Sequence, residues 1–235
     1  MAPKTANSNR GRSPAVHRAL KRAILDQALF PGAKLPEDLL GERLGVSRTL
    51  VREALVRLSE EGLVDLTPNK GATVARPTLE EGLNLFLTRM ALERLVVESL
   101  SGKLTKAQIE TLTAHIAAEE AAKPEHAVSI RLAGEFHTIL AQMTENASLI
   151  RYVNETVARS SLILALYGRP HSSDCAVSEH RQILTHLIAA ETEPAATLMT
   201  HHLDAISTRA LLPRHCDRDM KDVLSDYAAA EGLLG

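Results

Sequence analysis

Residues 39–64, LLGERLGVSRTLVREALVRLSEEGLV, decide the fold. Leu39, Leu40 and Leu44 recur at helical spacing, Gly45 supplies the permissive backbone of a turn, and Ser47 stands where it can cap a second helix starting at about Arg48. Within that second helix Val51, Ala54, Leu55 and Leu58 fall at i, i+3, i+4 and i+7 and are expected inside. Arg48, Thr49 and Arg52 then project from the N-terminal half of the opposite face, the half that a recognition helix inserts into a major groove. An arginine fork can donate two hydrogen bonds to O6 and N7 of guanine or clamp a phosphate, and Thr49 adds a hydroxyl and a methyl group.

The flanks extend the pattern. After Gly62, Val64 and Leu66 alternate, Pro68-Asn69-Lys70-Gly71 reads as a turn, and Thr73-Val74 resumes an extended run. This is a small β-hairpin, a wing, with Lys70 at its tip and Gly71 allowing backbone to approach a phosphate closely. Upstream, over 16–29, Ala19, Leu20, Ile24 and Leu25 alternate with Arg18, Lys21 and Arg22, so a first helix completes a three-helix core. Residues 1–77 carry 13 Lys+Arg against 8 Asp+Glu, a net of +5; the whole chain is −2, so residues 78–235 carry −7. A basic front on an acidic body points the front at nucleic acid.

Residues 44–64 resemble the DNA-binding domain of GntR-type bacterial regulators, whose pattern LG-V-S-R-T, two variable positions, R-E-A-L, two more, L, then E-G-L-V they reproduce. The resemblance implies that Ser47, Arg48, Thr49 and Arg52 contact an operator, with Gly71 in the wing. It departs at Asp38, where many members carry a DNA-contacting arginine.

With 235 residues and 45% hydrophobic content there is room for two domains, and the scarcity of aromatics, 3% with no Trp, suits a bundle built from Leu, Ala, Ile and Val. Cys175 and Cys216 make no disulfide framework and have no metal-ligand or redox spacing. No apolar run approaches the roughly 20 residues of a membrane span, and residues 1–12 lack the apolar stretch of a secretion signal, so they read as a disordered basic arm. The expected protein is cytoplasmic. The organisation is then an arm at 1–12, a winged helix-turn-helix at 13–77, a helical domain at 78–213 and a tail at 214–235. The fold class is mainly α, with six body helices expected over about 79–101, 105–122, 125–143, 148–167, 178–190 and 194–212.

Three histidines sit on or beside apolar stripes of that body: His137 next to Phe136 and Leu140, His180 with Ile183, Leu184 and Leu187, and His202 with Met199 and Ile206. Each alone is an ordinary core histidine. Three converging from separate helices need partners, and a divalent metal such as zinc, or nickel or manganese, supplies one for all three. Arg89, inside an otherwise apolar helix, either pairs with Glu93 one turn on or clamps the carboxylate of a small organic acid. Arg131, Asn154 and Ser161 are further candidates for an effector pocket.

The body is similar to the FCD ligand-binding domain of the FadR-like branch, over about 91–212. Its signatures here begin with Arg89 to Glu93 and Glu135-Phe136-His137, and continue with Glu179-His180 before Ile183 and with Met199, His202 and Leu203. Many FCD domains hold a metal with such a histidine trio plus an aspartate one turn before the first; here that position is Ala133. The resemblance implies a homodimeric regulator of a palindromic operator on double-stranded DNA, sensing a small organic acid through the metal and Arg89. Two alternatives stand beside it: the same regulator with a metal-free pocket for an acyl-CoA-like ligand, and a metal-dependent hydrolase, against which no general base, nucleophile elbow or phosphate-binding glycine loop is found.

Overall fold

The computed structural model describes residues 12–122, 126–167 and 174–211. Apart from Arg12, the N-terminal arm lies outside them, as do the tail at 214–235 and Cys216.

The head consists of α1 (Arg12–Leu25), α2 (Glu37–Leu44), α3 (Arg48–Glu60), β1 (Val64–Thr67) and β2 (Gly71–Val74). Ser47 caps α3 as expected, its hydroxyl accepting from the Leu50 amide at 3.4 Å, and Val51, Ala54, Leu55 and Leu58 are buried. Gly45, at φ +64°, ends α2 in the left-handed region. The face of α2 differs from expectation: Leu39 and Leu44 are exposed, and Gly41 is the buried residue. A Cβ at Gly41 would stand 3.0 Å from the Val46 carbonyl oxygen, so α2 meets the turn through bare backbone rather than a leucine face. Helix α1 begins and ends about four residues earlier than the apolar spacing suggested. Pro14 is tolerated in its first turn, and Gln27, at φ +57°, closes it.

Strands β1 and β2 pair antiparallel with Val64 opposite Val74 and Thr67 opposite Gly71. Asn69 and Gly71, both at positive φ, make the hairpin turn. The segment before α2 adds a rung that periodicity did not signal: Leu35 donates its amide to the Ala72 carbonyl, Lys34 bridges Thr73, and Gly32 donates to Val74.

The body is all helix: α4 (Leu79–Leu100), α5 (Lys106–Ala121), α6 (His126–Met143), α7 (Ala147–Tyr167), α8 (Asp174–Ile188) and α9 (Thr192–Leu211). Capping boxes start α4 (Thr78 with Glu81) and α5 (Thr105 with Gln108). Phe136, Leu140, Val153, Ile183, Leu187, Met199 and Leu203 centre its core. Among the described residues no helix is long and apolar enough to cross a membrane.

Head and body share a boundary. Ala158 and Leu162 of α7 join the head core around Leu20, Leu55 and Leu58. Asp26, just after α1, takes a hydrogen bond from Arg131 of α6 at 2.6 Å, and Tyr167 donates to the Pro77 carbonyl.

Candidate nucleic-acid interface and metal centre

On the head, Ser47, Arg48, Thr49 and Arg52 are exposed along the start of α3, and Lys70 and Gly71 are exposed at the wing tip. The two arginines are not idle. Arg52 donates two hydrogen bonds to Glu37, Nε to Oε1 at 2.9 Å and Nη2 to Oε2 at 2.7 Å, while Arg48 Nε lies 3.0 Å from Asp38 Oδ1. Bonding to Arg52 holds the Glu37 carboxyl below its usual range. Asp38, the position where the familiar arginine is missing, therefore steadies a recognition-helix arginine.

In the body, His137 of α6, His180 of α8 and His202 of α9 are buried, and one ring nitrogen from each lies within 4.8 Å of the others. Each ring is fixed from behind by a carboxylate on its Nδ1: Glu93 for His137, Glu119 at 2.8 Å for His180, and Glu179 at 2.6 Å for His202. Phe136 stacks on the His180 ring at 3.9 Å between centroids. With Nδ1–H donated to a carboxylate, the tautomer is set and Nε2 presents a lone pair. The Nε2 atoms of His180 and His202 stand 3.2 Å apart, two lone pairs facing one another unless a proton or cation lies between them. A tetrahedral ion with bonds of about 2.0 Å separates its nitrogen ligands by about 3.3 Å.

Charge leads to the same chemistry. Burial pushes the His137 pKa down to about 3 and that of His202 down to about 4, so both rings are neutral near pH 7. Burial also opposes ionisation of Glu93, but Arg89 and His137 overcome it and hold that carboxyl at about 2. The three carboxylates behind the rings carry −3 and Arg89, beside Glu93, carries +1. Even with His115 3.2 Å from Glu119, carboxylates outnumber cations around the trio, which favours a bound cation. Arg89 donates Nε to Glu93 at 2.5 Å, and its buried Nη2 has no hydrogen-bond partner among the described residues. An orphaned guanidinium nitrogen is costly and well suited to an incoming carboxylate.

Two family models match the chain: "Bacterial regulatory proteins, gntR family" over residues 13–74 and "FCD domain" over residues 84–205. The chain is a GntR-family regulator with an FCD domain. Similar to it are the HTH-type transcriptional repressor RspR of Escherichia coli, 26% identical over 82% of this chain and 86% of that protein, and the uncharacterized regulator YdhC of Bacillus subtilis, 25% identical over 80% and 86%. A putative GntR regulator from Rhodococcus sp. RHA1 shares the fold with a TM-score of 0.75 at 24% identity, covering 87% of this chain and all of that one. Members of the family are ligand-responsive transcriptional regulators.

In this regulator the four effector candidates divide. Arg89 joins the histidines, whereas Arg131, Asn154 and Ser161 line a separate cavity between α1, α6 and α7 whose walls include neither Arg89 nor any of the trio. Glu119 escaped the sequence reading, and Glu93 and Glu179 entered it without their role behind the rings. A signal existed for two of them: Glu119 follows Leu112 and Ile116 at stripe positions of α5, and Glu93 lies on the Phe86–Val97 stripe of α4, where a carboxylate needs a buried partner.

Proposed function

We propose that this regulator binds a two-fold symmetric operator as a homodimer, and that its helical body senses a small organic acid at a metal centre made by His137, His180 and His202. The observation that carries the sensing half is the carboxylate-backed trio and the partnerless Arg89 Nη2 beside it. A divalent ion held there, zinc by the nitrogen donors, supplies a Lewis-acidic coordination position for an acid. Ala133 contributes no carboxylate one turn before His137, which leaves more of that coordination open to the effector. Arg89 orients the acid, and Glu93, Glu119 and Glu179 keep the imidazoles in the ligating tautomer.

The reading half rests on Arg48, Thr49 and Arg52 on the open side of α3, with Ser47 at its cap and Lys70 and Gly71 on the wing. A single head spans too few base pairs for specificity, so two heads on one palindrome are needed. An apolar stripe on α4, Leu83, Leu87 and Leu95, is 47–64% exposed in the lone subunit and supports a body-to-body interface.

Two measurements test this. Fluorescence anisotropy with the chain's own promoter region should show salt-sensitive binding by the wild type and at least about a hundredfold weaker binding by an Arg48→Ala, Arg52→Ala double variant. Metal analysis of untagged protein should find about one divalent ion per subunit in the wild type and little in His180→Ala. An acid effect that persists without bound metal would favour the metal-free pocket instead.

A further inference from the structure

The cavity that received Arg131, Asn154 and Ser161 is not part of the histidine centre, and the regulatory reading leaves it unused. It is an open cleft of about 320 Å³ between head and body. Its head wall is Arg18, Lys21, Arg22 and Leu25 of α1; its body wall comes from α6 and α7. Four cations face it against one carboxylate, Glu135, and with Asp26 and Glu61, which pair with three of those cations, the surroundings carry +1.

The cations are not equivalent. Lys21 is held by Glu61 at 2.8 Å and Arg22 reaches Asp26 at 3.4 Å. Arg131, whose side chain is 13% exposed, is locked between Asp26 at 2.6 Å and Glu135 at 2.7 Å. Arg18 has no ion-pair partner among the described residues, although it lines the space. The floor has a different character: Asn154, Ser161 and Thr138 offer uncharged hydrogen-bonding groups beside Val157 and Ala158. A charged mouth over a neutral polar floor suits a ligand with an anionic end and a hydroxylated body, and the volume falls at the lower end of small-molecule pockets. A carboxylate offsets one positive charge. The ion pairs leave N–H donors unused on Arg18, Lys21 and Arg22, and a phosphate monoester, with three acceptor oxygens, engages more of them than a carboxylate does.

We infer that this head–body cavity is a second, metal-independent ligand site for a small phosphorylated metabolite, with Arg18 as its free phosphate-binding cation. Because its walls belong to both domains, an occupant bridges α1 to α6 and α7 and adjusts how the head is held.

Isothermal titration of the full chain with glucose 6-phosphate, inorganic phosphate, glucuronate and glucose tests the site. The expected result is saturable binding of glucose 6-phosphate that exceeds glucuronate, is undetectable for glucose and is retained in His180→Ala. It should weaken at least about tenfold in Arg18→Ala, as follows from losing a charge-assisted hydrogen bond, and in Asn154→Asp, which places a like charge on the floor. Arg18 is exposed, so its variant tests the site without testing the fold. Absence of glucose 6-phosphate binding, equal binding by Arg18→Ala, preference for glucuronate or glucose, or loss of binding in His180→Ala each overturns the assignment. The last two outcomes leave the metal-centre reading standing, and failure of metal binding in the wild type would leave this one standing.

Discussion

Arg52 and Glu37 form a two-pronged pair on the surface of the head, and Arg48 bridges toward both Glu37 and Asp38. Exposed pairs of this kind add little stability, so their consequence lies in recognition. Glu37 limits the rotamers of the two arginines and withholds them from indiscriminate phosphate contact. Glu37→Gln should raise affinity for random duplex, steepen the dependence of log K on log salt by up to about one per released arginine, and narrow the gap between operator and random DNA. Anisotropy titrations across a salt series measure all three, and an unchanged slope would show that the arginines leave Glu37 in the wild-type complex too. A second residue-scale consequence concerns acid. His137 and His202 have folded pKa values depressed by burial, to about 3 and about 4, against about 6.5 in an unfolded chain. Such groups contribute stability above pH 6.5 that is lost as pH falls toward the folded values, because the unfolded chain takes up protons first. His115, raised by its contacts with Glu119 and the Leu132 carbonyl against the effect of burial, acts in the opposite sense, its contribution fading as pH rises. Metal-depleted protein should lose on the order of 2 kcal/mol of unfolding free energy between pH 7.5 and 5.5, and His115→Gln should lose more. Denaturant titrations at the two pH values decide it; a flat response would mean that the two rings are not neutral at pH 7.

At the scale of elements, the registers that periodicity controls were legible. Helix α3, with four apolar positions in strict helical spacing behind a serine cap, needed no tertiary information, nor did the β-turn at Asn69-Lys70. What failed was decided elsewhere. The end of α1 depends on Gln27 adopting a positive φ, which no composition rule marks, and the face of α2 depends on the backbone approach at Gly41. The extra rung from Lys34 and Leu35 to the wing is a pairing between segments nearly forty residues apart. In the candidate site the histidines were legible as stripe residues on three helices; their carboxylates were harder, because Glu119 and Glu179 meet rings on other elements. Helix α4 carries the remaining element-scale expectation. Leu83, Leu87 and Leu95 form an exposed stripe on the side of α4 away from Arg89. If that stripe joins two bodies, Leu83→Asp with Leu87→Asp should convert dimer to monomer by light scattering at micromolar concentration. The helical circular dichroism should stay unaltered, and operator affinity should fall by orders of magnitude because the second head is no longer tethered. A dimer that survives both charges would place the interface elsewhere.

For the whole molecule the question is how a change in the body reaches α3. The route is short and physical: α7 supplies Ala158 and Leu162 to the head core, and Asp26 ties the end of α1 to Arg131 of α6, less than two turns before His137. The apolar contact and the Tyr167–Pro77 hydrogen bond also join head and body, and the Asp26–Arg131 pair is a charged tie between them. Asp26 is partly buried and also meets Arg22, so Asp26→Asn removes charge with nearly unchanged shape. Arg131 keeps Glu135 and is not left unpaired. The substitution should therefore cost little stability, about 1 kcal/mol or less, and leave metal content and acid binding by the body as in the wild type. What should diminish is the coupling: the ratio of operator affinities with and without a saturating acid effector should move toward one, since a ligand shifts head orientation only through contacts that differ between the two states. Measuring that ratio for the wild type and Asp26→Asn, together with acid binding by calorimetry, separates lost sensing from lost transmission. An unchanged ratio would move transmission to the uncharged contacts, and Leu162→Ala, which leaves a cavity against the head core, would then be the variant in which the response falls.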